Sequence, residues 1–471
     1  MKRTNLLRNI TLGMVLSGFA CSSCTDFDEL NTDPTRMEKV NPGTLLDPIL
    51  YDMGTYNWNR YYDYTFPLMQ CLVSNNGTSG VGWWNMTDSR GDGTWNTYYK
   101  WINNAKEIQR LNAQLASPEP NYEAVSLTLQ SWMYGILADA FGDIPMSEAC
   151  SADQGILAPR FDRQEQAYRQ ILDNLKTANS LFDTESGLVY NTSGDMLYST
   201  TDGEGIKKWQ KFCNSLRMRT LTRLLDGFNA PPQLPEMYNT PATYPVFESN
   251  DDAAMLGISG VFPEEAPMAR PQDFTSYVNL SEFFIDLLNS WNDPRLPVFA
   301  TQVEQEDGTK AYVGLPSGYL TLPAITASLP NQSMAKAPKA ELFQKGILPG
   351  GATEAETAYK KGVQASVEQW NATLPADYFD NPQARYDGSL ERIMNQKFVA
   401  LYFCDYQQWF EYNRTGYPVL PVGEGIQISH NQMPRRFKYP AAVQRTNMAN
   451  YQEAKKNMGG DEFSIKLIWQ K

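Results

Sequence analysis

Apolar residues recur every three to four positions through much of this chain, in runs too long for strands. Over 96–115, Tyr98, Trp101, Ala105, Ile108, Leu111 and Leu115 fall on one stripe of a 3.6-residue helix. Residues 121–142 repeat the pattern through Tyr122, Val125, Leu129, Trp132, Ile136 and Ala140, and Gly142 and Pro145 stop it. The stripe of 161–182 is Tyr168, Ile171, Leu175, Ala178 and Phe182, behind an Asp162/Glu165 pair with capping-box spacing. In 207–225, Trp209, Phe212, Leu216, Thr220 and Leu224 face inward, with Arg217, Arg219 and Arg223 elsewhere on the helix. Further helices are predicted in 280–297, ended by Pro294, and in 352–370 and 390–413. Paired antiparallel helices of this length predict a mostly α, repeat-like scaffold, although the strict tetratricopeptide consensus is not legible.

Between these runs lie Gly-, Pro-, Ser-, Thr- and Asn-rich stretches, 183–205, 228–275 and 300–350, in which fragments such as "AYVGLP" predict small hairpins. Loops of this length in a folded body tend to carry function. Another loop, "GVGWWNMTDSRGDGTWN" (80–96), packs three tryptophans among glycines and charges. A loop tryptophan either folds back onto the body or offers a flat apolar face to a ligand. Aromatic planes stack on the C–H faces of sugar rings, while neighbouring amide, carboxylate and guanidinium groups fork onto hydroxyls. Trp83, Trp84, Asn85, Asp88, Arg90, Asp92 and Trp95 supply that combination and are the candidate ligand-binding residues. Trp95 has the packing alternative of lying on the first turn of the helix that follows.

The N-terminus reads as an address. Lys2, Arg3 and Arg8 precede an uncharged run from Asn9 to Ala20, the pattern of a secretory signal and too short to span a bilayer comfortably. It ends in "CSSCTDFDELNTDP" (21–34), where a cysteine directly after the apolar run looks like a bacterial lipobox. Several acyl chains on one such residue suffice for stable anchoring. Cys24 is the favoured site, because Ser22 and Ser23 precede it and Asp26, Asp28 and Glu29 follow; Cys21 is the competitor. The acidic run resembles the surface-export signal of Bacteroidetes lipoproteins. The chain therefore divides into a signal peptide (1–23), a lipidated, Pro-punctuated tether (24–50) and one α-helical ligand-binding domain (51–471). Later in the chain no stretch offers eighteen uninterrupted apolar residues.

Charge and composition then narrow the chemistry. Formal charge is −13, and removal of Lys2, Arg3 and Arg8 with the signal takes it to −16. Such a chain repels phosphate backbones, so nucleic acid is an unfavourable partner, as are sulfated or uronic-acid-rich ligands. With a single histidine, His430, little His-ligated metal or His-based acid–base chemistry is open to it. Cys71, Cys150, Cys213 and Cys404 lack ligand spacing, and Cys213 and Cys404 fall in apolar helical patterns that predict buried thiols. Asp88, Asp92 and Gly93 only faintly suggest a calcium loop, and Arg90 stands where an EF-hand has Asp or Asn. No GxSxG, HExxH or phosphate-cradling glycine loop is present, and no carboxylate pair is distinguished for glycoside cleavage. The expectation is a binding protein without cofactor or metal.

Six phrases, in order, resemble the SusD/RagB family of outer-membrane lipoproteins, in its branch described as starch-binding associating with outer membrane. They are "SCTDFDELNTDP" (23–34), "ADAFGDIPMSEA" (138–149), "GIKKWQKFCNSLRMRTLTRL" (205–224), "WNDPRLP" (291–297), "QKFVALYFCDYQQWFEYNRTGYPVLP" (396–421) and "MPRRFKYPAAVQRTNMANYQEA" (433–454). The family's usual helix after the asparagine–aspartate–proline–arginine turn is matched only loosely, over 322–345. The resemblance implies a helical body with tetratricopeptide-like pairs and irregular loops over one side. It also implies a cell-surface role: capturing a glycan, here a neutral oligo- or polysaccharide, for a SusC-like TonB-dependent transporter, with the lipid anchor in the outer membrane. Rival readings are a peptide- or glycopeptide-capturing lid, as in RagB-like members, and a structural transporter partner with no ligand of its own; a cell-surface hydrolase comes last. The Arg- and aromatic-rich "RTGYP" (414–418) and "MPRRFKYP" (433–440) read as structural frame, and "NDPR" (292–295) as a helix stop.

Overall fold

The four strongest periodic runs form four consecutive helices. The computed structural model describes residues 40–225, 233–257, 278–305, 307–321 and 351–470. Cys21, Cys24 and the loosely matching segment 322–345 lie outside the described residues. The main helices are α1 (Leu46–Arg60), α2 (Asp92–Ala113), α3 (Pro120–Phe141), α4 (Gln164–Leu181) and α5 (Gly203–Arg223). They are followed by α6 (Glu282–Trp291), α7 (Gly351–Gln369), α8 (Leu390–Ala400), α9 (Gln407–Thr415) and α10 (Met448–Met458). In the series α2–α3–α4–α5 consecutive helices pack together, so each of these four apolar stripes is covered by a sequence neighbour. The α3 helix is sandwiched between α2 and α4 and is buried nearly all round.

Three boundaries differ from the sequence reading. Pro42–Lys471 is one compact unit, and α1 starts at Leu46 with Leu46, Ile49, Leu50 and Met53 buried at helical spacing. Residues 42–50, assigned to the tether, therefore belong to the body. Asp162 does not cap α4: its carboxylate accepts the Met146 and Ser147 N–H groups at 2.9 and 2.7 Å, while Gln166 accepts the Arg163 N–H. The run 390–413 is also broken. Its helices α8 and α9 are separated by a turn in which Phe403 and Asp405 take positive φ of 62° and 32°.

That break is held from outside the run. Beyond α1 the chain continues as one π turn, Tyr61–Thr65, which buries Tyr61, Tyr64 and Thr65 together. The Thr65 hydroxyl donates to the Asp405 carbonyl at 2.7 Å, and the Tyr61 ring lies 4.9 Å from that of Phe403. Tyr402 is buried against Phe66, Phe284 and Phe299. A continuous helix would carry some of these rings away from this aromatic core.

Strands are minor. Leu72–Ser74 (β1) pairs antiparallel with Val278–Leu280 (β2), and Val303–Glu304 (β3) with Lys310–Ala311 (β4), within the stretch where a hairpin is predicted. Cys71, Cys213 and Cys404 are buried. Asn292 ends α6 in the left-handed conformation, so "NDPR" is a helix stop. It also holds a fully buried ion pair, with Arg295 donating to Asp293 at 2.6 Å. In "RTGYP" and "MPRRFKYP", Arg414 pairs with Glu411 and Arg436 with Asp461, both at 2.7 Å and both arginines fully buried.

Candidate functional site

The loop 80–96 is built as two turns leading into α2. Gly80 takes a φ of 97°, Val81–Trp83 forms a 3-10 turn, and Trp84 closes it in the left-handed region at φ 54°. A second turn, Asp88–Gly91, runs straight into α2. The result turns the indoles inward. Trp83, Trp84 and Trp95 are only 3%, 8% and 6% exposed. The Trp83 Nε1–H donates to the Tyr319 carbonyl at 3.0 Å, and the Trp84 Nε1–H to the Leu68 carbonyl at 3.1 Å. Trp95 lies inside α2 among Tyr99, Phe141, Phe161 and Tyr439, with centroid separations of 4.9 to 6.0 Å.

The expected stacking platform is therefore corrected. None of the three tryptophans presents a free face here, because each ring plane is covered and the Trp83 and Trp84 N–H groups are spent on carbonyls. An exposed indole leaves about 200 Å² of largely apolar surface in water, and folding back onto the body removes that cost. The polar candidates divide. Asn85 and Asp88 are exposed. Asp88 pairs with Lys438 at 3.1 Å, Arg90 with Asp63 at 2.8 Å, and the Arg90 guanidinium sits over the Tyr64 ring. Asp92 is half-buried in the first turn of α2; its Oδ1 has no hydrogen-bond partner among the described residues, and burial raises its carboxyl pKa.

The tryptophans serve to stitch distant segments into one surface. The Asn431 amide donates to the Trp83 carbonyl at 2.8 Å, the Gln70 amide to the Gly82 carbonyl at 2.9 Å, and the Gly425 N–H to the Gly318 carbonyl at 2.8 Å. The Tyr319 hydroxyl donates to the carbonyls of Ser74 and Gly77 at 2.6 and 3.0 Å. Segments 80–85, 317–320 and 423–431 are thereby one rim, carrying exposed Asn85, Leu320 and Ile428. Sequence reasoning missed Tyr319 and Asn431, because neither belongs to a local pattern. Glycine at 423 and 425 was the available signal: a Cβ at either position would meet the 317–319 backbone within 2.8 Å.

Among the described residues no cluster of three or more His, Cys, Asp or Glu side chains could hold a metal ion, and no helix is long and apolar enough to cross a membrane. A buried charge network does lie below α9. Glu411 is held by Arg414 and Lys397 at 2.7 Å and by Arg223 at 3.3 Å. Arg223 also meets Asp139 at 3.1 Å, and Asp139 accepts the Tyr168 hydroxyl. Burial alone raises a carboxyl pKa, yet three cations bring that of Glu411 well below the usual range, while for Asp139 burial wins and the pKa is raised. With each ion paired and buried, the network frames the fold.

A mostly helical body with irregular segments stitched over it is an architecture shared with solved SusD-like structures. The family model described as starch-binding associating with outer membrane matches residues 34–440, and this chain belongs to that SusD-like family. Among solved structures, a chitin-binding protein is 22% identical with a TM-score of 0.76, covering 91% of this chain and 100% of its own. A SusD homologue from Bacteroides fragilis is 21% identical at a TM-score of 0.74, with 92% and 100% covered. An outer membrane protein of Bacteroides vulgatus, described in terms of nutrient binding, is 22% identical at a TM-score of 0.76, again with 92% and 100% covered. At these identities the likeness establishes the shared fold. No curated protein matches the chain.

Proposed function

We propose that this protein is a lipid-anchored, surface-exposed glycan-binding protein of the outer membrane. It captures a neutral oligo- or polysaccharide and delivers it to a SusC-like TonB-dependent transporter, binding the sugar without cleaving it. The observation that carries the reading is the family match over 34–440, since it covers most of the chain and its description joins starch binding to the outer membrane. The signal-like N-terminus with Cys24, or alternatively Cys21, supports the anchor, and the strongly acidic balance supports a neutral ligand. Asn85 on the rim and Asp88 beside it are the exposed candidates of the predicted loop and support a ligand site there.

The test is calorimetry or affinity electrophoresis of the mature protein against neutral glycans, with peptides as the second panel. Saturable binding to one glycan class is the expected result. Binding confined to peptides, or to neither panel, overturns the reading.

A further inference from the structure

A cleft lined by none of the residues 80–96 opens beside the turn at Phe403–Asp405. It lies between α1, α3 and α5 and the turn that separates α8 from α9, and encloses ≈ 110 Å³. Its walls are apolar: aliphatic side chains such as Leu50, Leu129 and Leu256 stand beside the rings of Trp132, Phe212 and Phe247. The Phe212 and Phe247 rings are parallel within 2° at 6.1 Å, and Trp132 meets Phe212 edge to face at 6.1 Å.

Two charges line this apolar space without bonding each other. Arg219 is the middle arginine of "RMRTLTR" (217–223). Arg217 donates to Gln233, and Arg223 to Asp139 and Gln407. Arg219, half-buried on the cleft wall, has no hydrogen bond or ion pair among the described residues. Opposite stands Asp405, 5% exposed and held at positive φ by the break in the helix. Its Oδ1 accepts the Tyr406 N–H and the Gln407 amide, while Oδ2 carries no hydrogen bond among the described residues. The Trp132 Nε1–H is buried and has no acceptor among the described residues. Burial raises the Asp405 carboxyl pKa and Arg219 opposes that rise, so the two sense each other across the space. Of these groups the Trp132 N–H is the one fully shielded from solvent, and a buried donor left without an acceptor ordinarily marks a missing partner.

We propose that this cleft is a saccharide subsite that takes one neutral pyranose ring. The aromatic wall covers the C–H face of the sugar, Asp405 Oδ2 accepts a hydroxyl, and Arg219 and the Trp132 N–H donate to ring or hydroxyl oxygens. Net charge at the two side chains balances, which favours a neutral ligand over an acid or an amine. Where about 10–15 Å³ is enough to admit one water, a space of ≈ 110 Å³ has room for several waters that a single ring would displace. The strained backbone at Asp405 has a reason on this account, because it aims a carboxylate into an apolar cleft that a regular helix would not reach. This subsite deepens the glycan-capturing reading and rests on it for the ligand class.

The test uses ligand-observed NMR on the mature protein with methyl pyranosides of glucose, galactose, mannose and N-acetylglucosamine, and with phenylalaninamide. Arg219→Gln and Asp405→Asn are measured alongside, with thermal unfolding as the folding control. The expected result is binding of at least one pyranoside, weakened about tenfold or more in each folded variant. Arg219 is on a cleft wall and half-buried, so Arg219→Gln keeps the test decisive even where Asp405→Asn fails to fold. Pyranoside binding that is unchanged in Arg219→Gln overturns the subsite, as does preference for phenylalaninamide. Binding of long glycans without any pyranoside binding also overturns it, and leaves the glycan-capturing reading standing. Failure of every glycan, long or short, overturns both.

Discussion

Trp83 and Tyr319, 236 positions apart, are joined twice: the indole N–H donates to the Tyr319 carbonyl at 3.0 Å, and the rings meet edge to face at 5.1 Å. Tyr319 in turn donates its hydroxyl to Ser74 and Gly77, so this one pair ties the 317–320 segment to the start of the loop. Trp83→Ala should destabilise the protein by about 3–5 kcal/mol, and Trp83→Phe by about 1–2, since the latter keeps the ring and loses the hydrogen bond. Urea unfolding of the two variants measures both. Equal stability of Trp83→Ala and wild type would show that the indole is not a structural tie.

Asn85 and Asp88 should behave in the opposite way. Both are exposed, and the Asp88–Lys438 pair at 79% exposure of the carboxylate contributes little. The Asn85→Ala/Asp88→Ala double variant is expected to unfold within about 0.5 kcal/mol of wild type. In calorimetry its affinity for the captured glycan should fall. Unchanged affinity would remove this rim from the ligand site.

The buried pair Asp293–Arg295 predicts a large structural effect. Arg295 donates to Asp293, Ser366 and Gln396, and Tyr378 donates to Asp293 at 2.8 Å. Asp293→Ala leaves a buried guanidinium uncompensated and should cost about 3–5 kcal/mol. Denaturant melts give the value, and a loss below about 1 kcal/mol would contradict the role assigned to the pair.

Glu411 sets an acid limit. Its pKa in the folded protein is well below the unbound value of 4.5, so its ionised form stabilises the fold above that value, and this contribution is lost as pH falls through the depressed folded pKa. Glu411→Gln should therefore be markedly less stable than wild type at neutral pH, with the gap narrowing below about pH 4.5. Asp139 works with the opposite sign: its raised pKa penalises the fold when it ionises, and the penalty disappears on acidification. Stability of wild type and Glu411→Gln across pH 3–7 checks the direction, and a constant gap would refute it.

Lipidation is the remaining prediction. Cys24→Ser should abolish incorporation of labelled fatty acid and release the protein from the membrane fraction, while Cys21→Ser leaves both intact. The reverse pattern would move the anchor to Cys21.

Local pattern alone determined the helical body. The stripes through Tyr98–Ile108, Tyr122–Ala140, Tyr168–Phe182 and Trp209–Leu224 are read within each run, because a helix must bury one face and sequence neighbours are at hand to cover it. The six motif phrases, read in order, were likewise enough to place the chain in its family. The fates of Trp83, Trp84 and Trp95 were not legible: a loop tryptophan looks the same whether its N–H finds a sugar or a carbonyl 236 residues away. Nor was the turn at Phe403–Asp405, where a continuous helical pattern yields to rings and a hydroxyl supplied by Tyr61, Phe66 and Thr65. The same holds for Arg219, which the pattern placed only as one of three arginines off the apolar stripe. Hydrophobic periodicity reports what a segment must bury; which distant partner it meets, and which charge is left facing a cleft, is decided only when the segments pack together.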